Sequence, residues 1–192
     1  MQGYEERLRR EDWEVRPVAL DVARALVEKY HYAHGGSNTA TYVHGLFRRH
    51  DFWEDACRGI AWWIPPTKSA ALATYPHNWQ GVLALSRLVI SEGTPKNACS
   101  FLLSRSVKLI DRKKWPVLVT YADEWQGHSG TIYKASGWQY VGKTKPEATY
   151  TIGGVMTSRK AGPRTRTHAE MIALNARLEG RHSKHKFVLG VN

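Results

Sequence analysis

Cysteine is scarce in this chain, with two residues, Cys57 and Cys99, among 192. Two thiols cannot build a disulfide framework or a four-cysteine zinc site. Long apolar runs are missing too. The longest, residues 59–66 and 81–85, fall far short of the ~18 residues a membrane span requires. The opening stretch MQGYEERLRREDW is charged and lacks the apolar core of a secretory signal. No GxGxxG or GxxxxGKS/T occurs, which removes the dinucleotide and P-loop readings. These absences predict a reduced, cytoplasmic, soluble protein with no membrane partner.

Acidic residues are also in short supply. They number 17 against 28 Lys and Arg, giving a net charge of +11 and a pI near 9.8. The excess is concentrated after residue 158, where five Arg and three Lys face two Glu. Each cation that neutralises a phosphate releases condensed counterions, so a polyanion is the natural partner. What is plentiful is apolar and aromatic material: 42% hydrophobic residues, with 8 Trp and 9 Tyr. That suffices for a core and excludes a disordered chain. We expect a domain over residues 1–157 and a basic arm with a short helix over 158–192.

Periodicity supplies the elements. Residues 13–19 (WEVRPVA) read as a strand, and Asp21 as the cap of a helix reaching about Tyr32. Residues 40–48 and 58–64 alternate as strands, and 81–90 (GVLALSRLVI) is a strongly β-prone run containing Arg87. A loop over 91–96 precedes a helix over 97–113. Its buried stripe is predicted as Cys99, Leu102, Leu103, Leu109 and Ile110; Asn97 is its predicted cap. A buried strand over 116–123 and a short helix over 130–136 follow, the latter stopped by Gly137. Strands over 138–143 and 149–153 and a helix over 168–178 complete the order. A long helix after a central apolar strand suggests a βαβ crossover in a mixed α/β sheet.

Several polar residues stand where chemistry is possible. Arg87 lies inside an apolar strand, where a charge needs a partner or an open face. His31 and Tyr32 close the first helix, with His34 three residues on. Asp123 ends the strand PVLVTYAD, at the edge where such sheets present residues to ligands. Tyr42 and His44 share one strand face and are weaker pocket candidates. Cys99, on an apolar stripe, reads as a structural thiol. Arg159, Lys160, Arg164 and Arg166 flank Gly162-Pro163 and are suited to tracking phosphates.

This order, with the residues from 85 to 142, resembles the GNAT acyltransferase superfamily. The blocks HYAH, LSRLVI, PKNACS, TYAD and GTIYKASGW resemble more narrowly the Mom family, phage DNA-modification proteins on a GNAT fold. The resemblance covers roughly residues 13 to 153. It implies conversion of adenine in double-stranded DNA to an N6-methylcarbamoyl form that shields phage DNA from restriction in the host cytoplasm, with acetyl-CoA as cofactor. It also implies site residues. Arg87, Asp123, His31, Tyr32 and Tyr133 take the reacting groups, and Leu88, Val89, Ile90, Lys96, Asn97, Ser100 and Tyr133 take the cofactor. His31, Tyr32 and Asp123 would be ligands if iron is bound. The usual Gly-rich phosphate turn of the superfamily is replaced by TPKNACS. Two alternatives stay open: an ordinary N-acetyltransferase acting on an amine of a base, tRNA or protein, and a non-catalytic nucleic-acid binder. The oligomeric state is open, a homodimer included.

Overall fold

The computed structural model describes residues 7–32, 37–161 and 164–190. His34 and the Gly162-Pro163 pair lie outside the described residues. In chain order the elements are β1 (Trp13–Pro17), α1 (Leu20–Tyr30), β2 (Tyr42–Arg48), β3 (Gly59–Ile64), α2 (Lys68–Leu72), β4 (Val82–Ile90), α3 (Ala98–Leu109), β5 (Val117–Asp123), α4 (Thr131–Ala135), β6 (Gln139–Lys143), β7 (Glu147–Ile152), β8 (Val155–Thr157), β9 (Lys160–Ala161), β10 (Arg164–Thr165), α5 (His168–Ala173), β11 (Arg177–His182) and β12 (Lys184–Leu189).

Seven strands form one mixed sheet in the order β1-β2-β3-β4-β5-β12-β6. Only the β4–β5 pair is parallel within it, because α3 carries the chain back between them. Strand alternation divides the core between two faces. Ile60 and Trp62 of β3 point to the face covered by α1, where Ala23, Val27 and Phe47 are fully buried. Ala61 and Trp63 point to the other face, against Leu102 and Leu103 of α3. A smaller sheet, β11-β7-β8, and the β9–β10 ribbon stand beside the main one.

The segment after residue 158 is not an arm. β12 enters the central sheet between β5 and β6, pairing antiparallel with both, and Phe187 is fully buried. The expected helix to residue 178 stops at Ala173, where Asn175 adopts a left-handed φ of 57°. α1 starts at an Ala19 cap position with Asp21 in its first turn; there the carboxylate still complements the positive helix end. Asn97 holds the cap position of α3 but does not cap it. Its Oδ1 accepts the Leu8 amide at 2.7 Å, tying the N-terminal segment to α3. Leu109 is exposed, and Ser106 takes its place in the buried stripe.

Candidate active site

The site begins where β4 and β5 part. Their pairing runs from Val82–Val117 to Leu85–Thr120 and ends; β4 continues to Ile90 and β5 to Asp123. At that point the β3–β4 register skips a residue, placing Ser86 in a bulge opposite Trp62 and Trp63. A bulge bends its strand and increases its twist, so β4 swings away from β5. Beyond Leu85, the β4 edge facing β5 has no ladder partner among the described residues.

A cavity of about 570 Å³ fills this opening, lined by Leu88, Val89 and Ile90 of β4, Thr120 to Ala122 of β5, the end of α1 and the start of α4. Several groups around it are themselves buried, and their proton affinities respond. Burial, with the Asp123 carboxylate nearby, pushes the Tyr32 hydroxyl up to about 12 against the opposing pull of Arg87. Burial likewise raises Tyr133, partly offset by its hydrogen bond with Thr120. The Cys99 thiol is pushed up to about 11 by burial. At neutral pH Tyr32, Tyr133 and Cys99 therefore face the cavity protonated.

Gly130 opens α4 with a left-handed φ of 72°, and a Cβ there would collide with the Phe187 ring. Only glycine lets α4 approach β12 so closely. Tyr133, held against Phe187 and Trp138 at centroid distances of 5.3 and 5.8 Å, is positioned as a result. His31 stacks on Tyr32 at 4.3 Å.

A second cavity, of about 510 Å³, meets the first at Tyr32, which lines both. Arg87 and Asp123 line the second, together with residues of β7, β8, β9 and β11. The half-buried Arg87 donates to the Ser86 carbonyl at 2.7 Å, so the bulge also aims the guanidinium. Asp123 is 4% exposed. One of its oxygens accepts the Trp125 amide at 3.1 Å; the other faces Lys184 Nζ at 3.5 Å. Lys184 stands opposite Asp123 in the β5–β12 register. The sequence reading missed Lys184, which looked like part of a solvated tail.

The structure thus brings His31, Tyr32, Arg87, Asp123 and Tyr133 together around two adjoining cavities. The residues expected to hold a cofactor divide. Leu88, Val89, Ile90 and Tyr133 line the first cavity. Asn97 and Ser100 instead line a separate cleft of about 250 Å³ with Arg10, Arg105 and Lys108. Ser100 Oγ donates to the Asn97 carbonyl, and Lys96 is exposed on the preceding turn. Cys99, expected on the buried stripe, faces the first cavity.

His44 is not a pocket residue. It is 2% exposed and shares the Ser106 hydroxyl with Trp63, at 2.7 Å each, and burial lowers it to about 4. Tyr42 packs against the core. Among the described residues no three His, Cys, Asp or Glu side chains converge as a metal site. Tyr32 is held protonated, and Asp123 is already engaged by an amide and an ammonium. His31, Tyr32 and Asp123 are the residues that would hold an iron here, the phenol giving up its proton to the metal.

Comparison with known proteins bears on both fold and family. An N-acetyltransferase from Staphylococcus aureus Mu50 superposes with a TM-score of 0.55 at 12% identity, covering 94% of this chain and 99% of that one. A GNAT family acetyltransferase from Elizabethkingia anophelis, with acetyl-CoA bound, gives 0.55 at 9% identity over the same shares. The ribosomal-protein-S18-alanine N-acetyltransferase of Escherichia coli gives 0.53 at 10%, covering 94% of each. The fold is that of the GNAT acetyltransferases. The methylcarbamoylase mom of Escherichia phage Mu is 26% identical over 135 residues, 67% of this chain and 53% of that protein. The chain spans about half the length of this relative. The model of the Mom protein family matches residues 12–189, beyond the span of roughly 13 to 153 that the motif blocks cover, and takes in β12. On that match the chain belongs to the Mom family.

Proposed function

We propose that the chain modifies DNA, converting adenine in the duplex to its N6-methylcarbamoyl form, with acetyl-CoA as the bound donor. The observation that carries this reading is the meeting of two cavities of different character at Tyr32, one between the parted strands β4 and β5 and one cationic. The first fits an acyl-CoA: its apolar wall suits an acyl arm, and the unpaired edge of β4 offers peptide groups to the amides of such a ligand. When bound, that ligand would supply an activated two-carbon group and leave as free CoA; the amide nitrogen of the product and the two-electron oxidation that joins the methyl carbon to N6 require an amine donor and an oxidant besides it. The second fits the acceptor. A base inside a duplex is out of reach, so the target nucleotide is extruded into it.

This chain's own groups then have definite tasks. Arg87 places fixed positive charge at the junction, where oxyanion character develops in acyl chemistry. Asp123, anchored by the Trp125 amide and Lys184, receives the proton of the acceptor amine. Tyr32 and Tyr133, held protonated by burial, donate hydrogen bonds to reacting oxygen or sulfur. Cys99, protonated as well, has no nucleophilic part. The modification masks the DNA from restriction inside a host cell.

Nucleoside mass analysis of plasmid DNA from cells producing this chain tests the reading. A modified deoxyadenosine is expected, absent with Arg87→Ala. An added acetyl mass alone overturns it in favour of N-acetylation; unmodified DNA overturns the DNA reading.

A further inference from the structure

The cationic cavity contains more than an acceptor base needs. Besides Arg87 it is lined by Arg159, Lys160, Arg181 and Lys184, against two carboxylates, Asp123 and Glu147. Lys184 is matched with Asp123. Among the described residues Arg159, Lys160 and Arg181 form no ion pair. Arg159 donates twice to the Arg166 carbonyl, at 2.9 and 2.8 Å, and Arg181 donates to the Pro146 carbonyl at 2.8 Å. A carbonyl oxygen fixes the direction of a guanidinium and leaves its charge in place. The wall thus carries positive charge at Arg159, just before β9, at Lys160 of β9 and at Arg181 of β11, lining the same cavity as Asp123.

The expected phosphate contacts of the basic segment are re-sorted on this geometry. Arg164 is paired with Glu170 at 2.7 Å. Arg166 donates to the Ser158 and Lys160 carbonyls, closing the ribbon on itself. Neither lines the cavity. Arg159 and Lys160 do, and Arg181, which the sequence did not single out, joins them.

We propose that Arg159, Lys160 and Arg181 form a phosphate clamp that grips the backbone on either side of the extruded nucleotide, while its base reaches Arg87 and Asp123. This rests on the DNA-modification reading for the identity of the substrate. The ligand class is a nucleotide within a polynucleotide, recognised by its phosphates. Phosphate contacts set register without reading sequence, so the clamp fixes where the base enters. Base identity is left to the cavity floor.

The test uses the full chain and a labelled duplex carrying 2-aminopurine at the target position. Lys160→Gln and Arg181→Gln each lower the slope of log affinity against log salt by about one and reduce the 2-aminopurine signal of extrusion. Acetyl-CoA binding stays at the wild-type level, and Lys113→Gln, in the turn that follows α3, changes neither slope nor signal. Wild-type slope and signal in both cavity variants overturn the proposal. So does a loss of slope in Arg105→Gln and Lys108→Gln alone, which would seat DNA on the other cleft. If the clamp variants lose slope and extrusion while the wild-type chain yields no modified nucleoside, the clamp stands and the modification reading falls.

Discussion

The two cavities that meet at Tyr32 differ in almost every physical respect. The first lies inside the main sheet, between strands that have parted, and its effect on the groups beside it comes through their burial. Tyr32, Tyr133 and Cys99 are all held in their protonated forms there. The second lies between the main sheet and the smaller C-terminal strands. Two of its guanidiniums, Arg159 and Arg181, are held in direction by backbone carbonyls. One cavity selects by shape, the other by field.

The contrast can be broken at its junction first. Asp123→Asn keeps an oxygen for the Trp125 amide but removes the negative charge facing Lys184. Turnover on DNA is expected to fall at least about 100-fold with duplex affinity retained, measured by nucleoside mass analysis beside a binding titration. Loss of affinity instead would move Asp123 into the binding wall.

The first cavity can be disturbed through α4. Gly130→Ala combines a left-handed φ with a collision against Phe187 and is expected to cost about 3 kcal/mol, read from chemical denaturation. Acetyl-CoA affinity should weaken in step, because Tyr133 moves with α4.

A third prediction concerns pH. His44 has an ordinary value of 6.5, lowered to about 4 in the fold. Between those values the unfolded chain binds a proton that the folded chain refuses. Stability is therefore complete above about pH 6.5 and declines as pH falls toward 4. Thermal midpoints should trace that window, and His44→Asn should flatten it.

The smallest effect is expected at Cys99. With its thiol pushed up to about 11, alkylation at pH 7.5 should run well below the rate of an exposed thiol. Cys99→Ala should leave turnover within about threefold.

Much of the main sheet was legible because its segments carry clean period-two or period-3.6 patterns. Residues 82–90 and 117–123 are apolar enough to announce central strands, and Gly137 marks the end of α4. The five residues expected at the reacting centre do converge. The C-terminal third was harder to read. In KHKFVL, polar residues occupy the half of β12 nearest the site and only Phe187 and Val188 are buried, so it looked like a solvated basic tail. The signal was present in Phe187-Val188-Leu189, an apolar run ending a charged stretch. His44 shows the opposite failure. A histidine on an alternating strand suggests a pocket until its partner is known, and Ser106, 62 residues away, supplies that partner only in the fold. The division of Asn97 and Ser100 from the first cavity was invisible for the same reason, since it depends on Leu8.

The placement of β12 bears on how the site is kept in order. The strand sits between β5 and β6 and carries the lysine facing Asp123. Its register with β5 joins segments far apart in sequence, Lys184 opposite Asp123 and Leu189 opposite Leu118. Fraying of β12 would therefore unfasten the Asp123 end of β5, so backbone opening and loss of site geometry are one event.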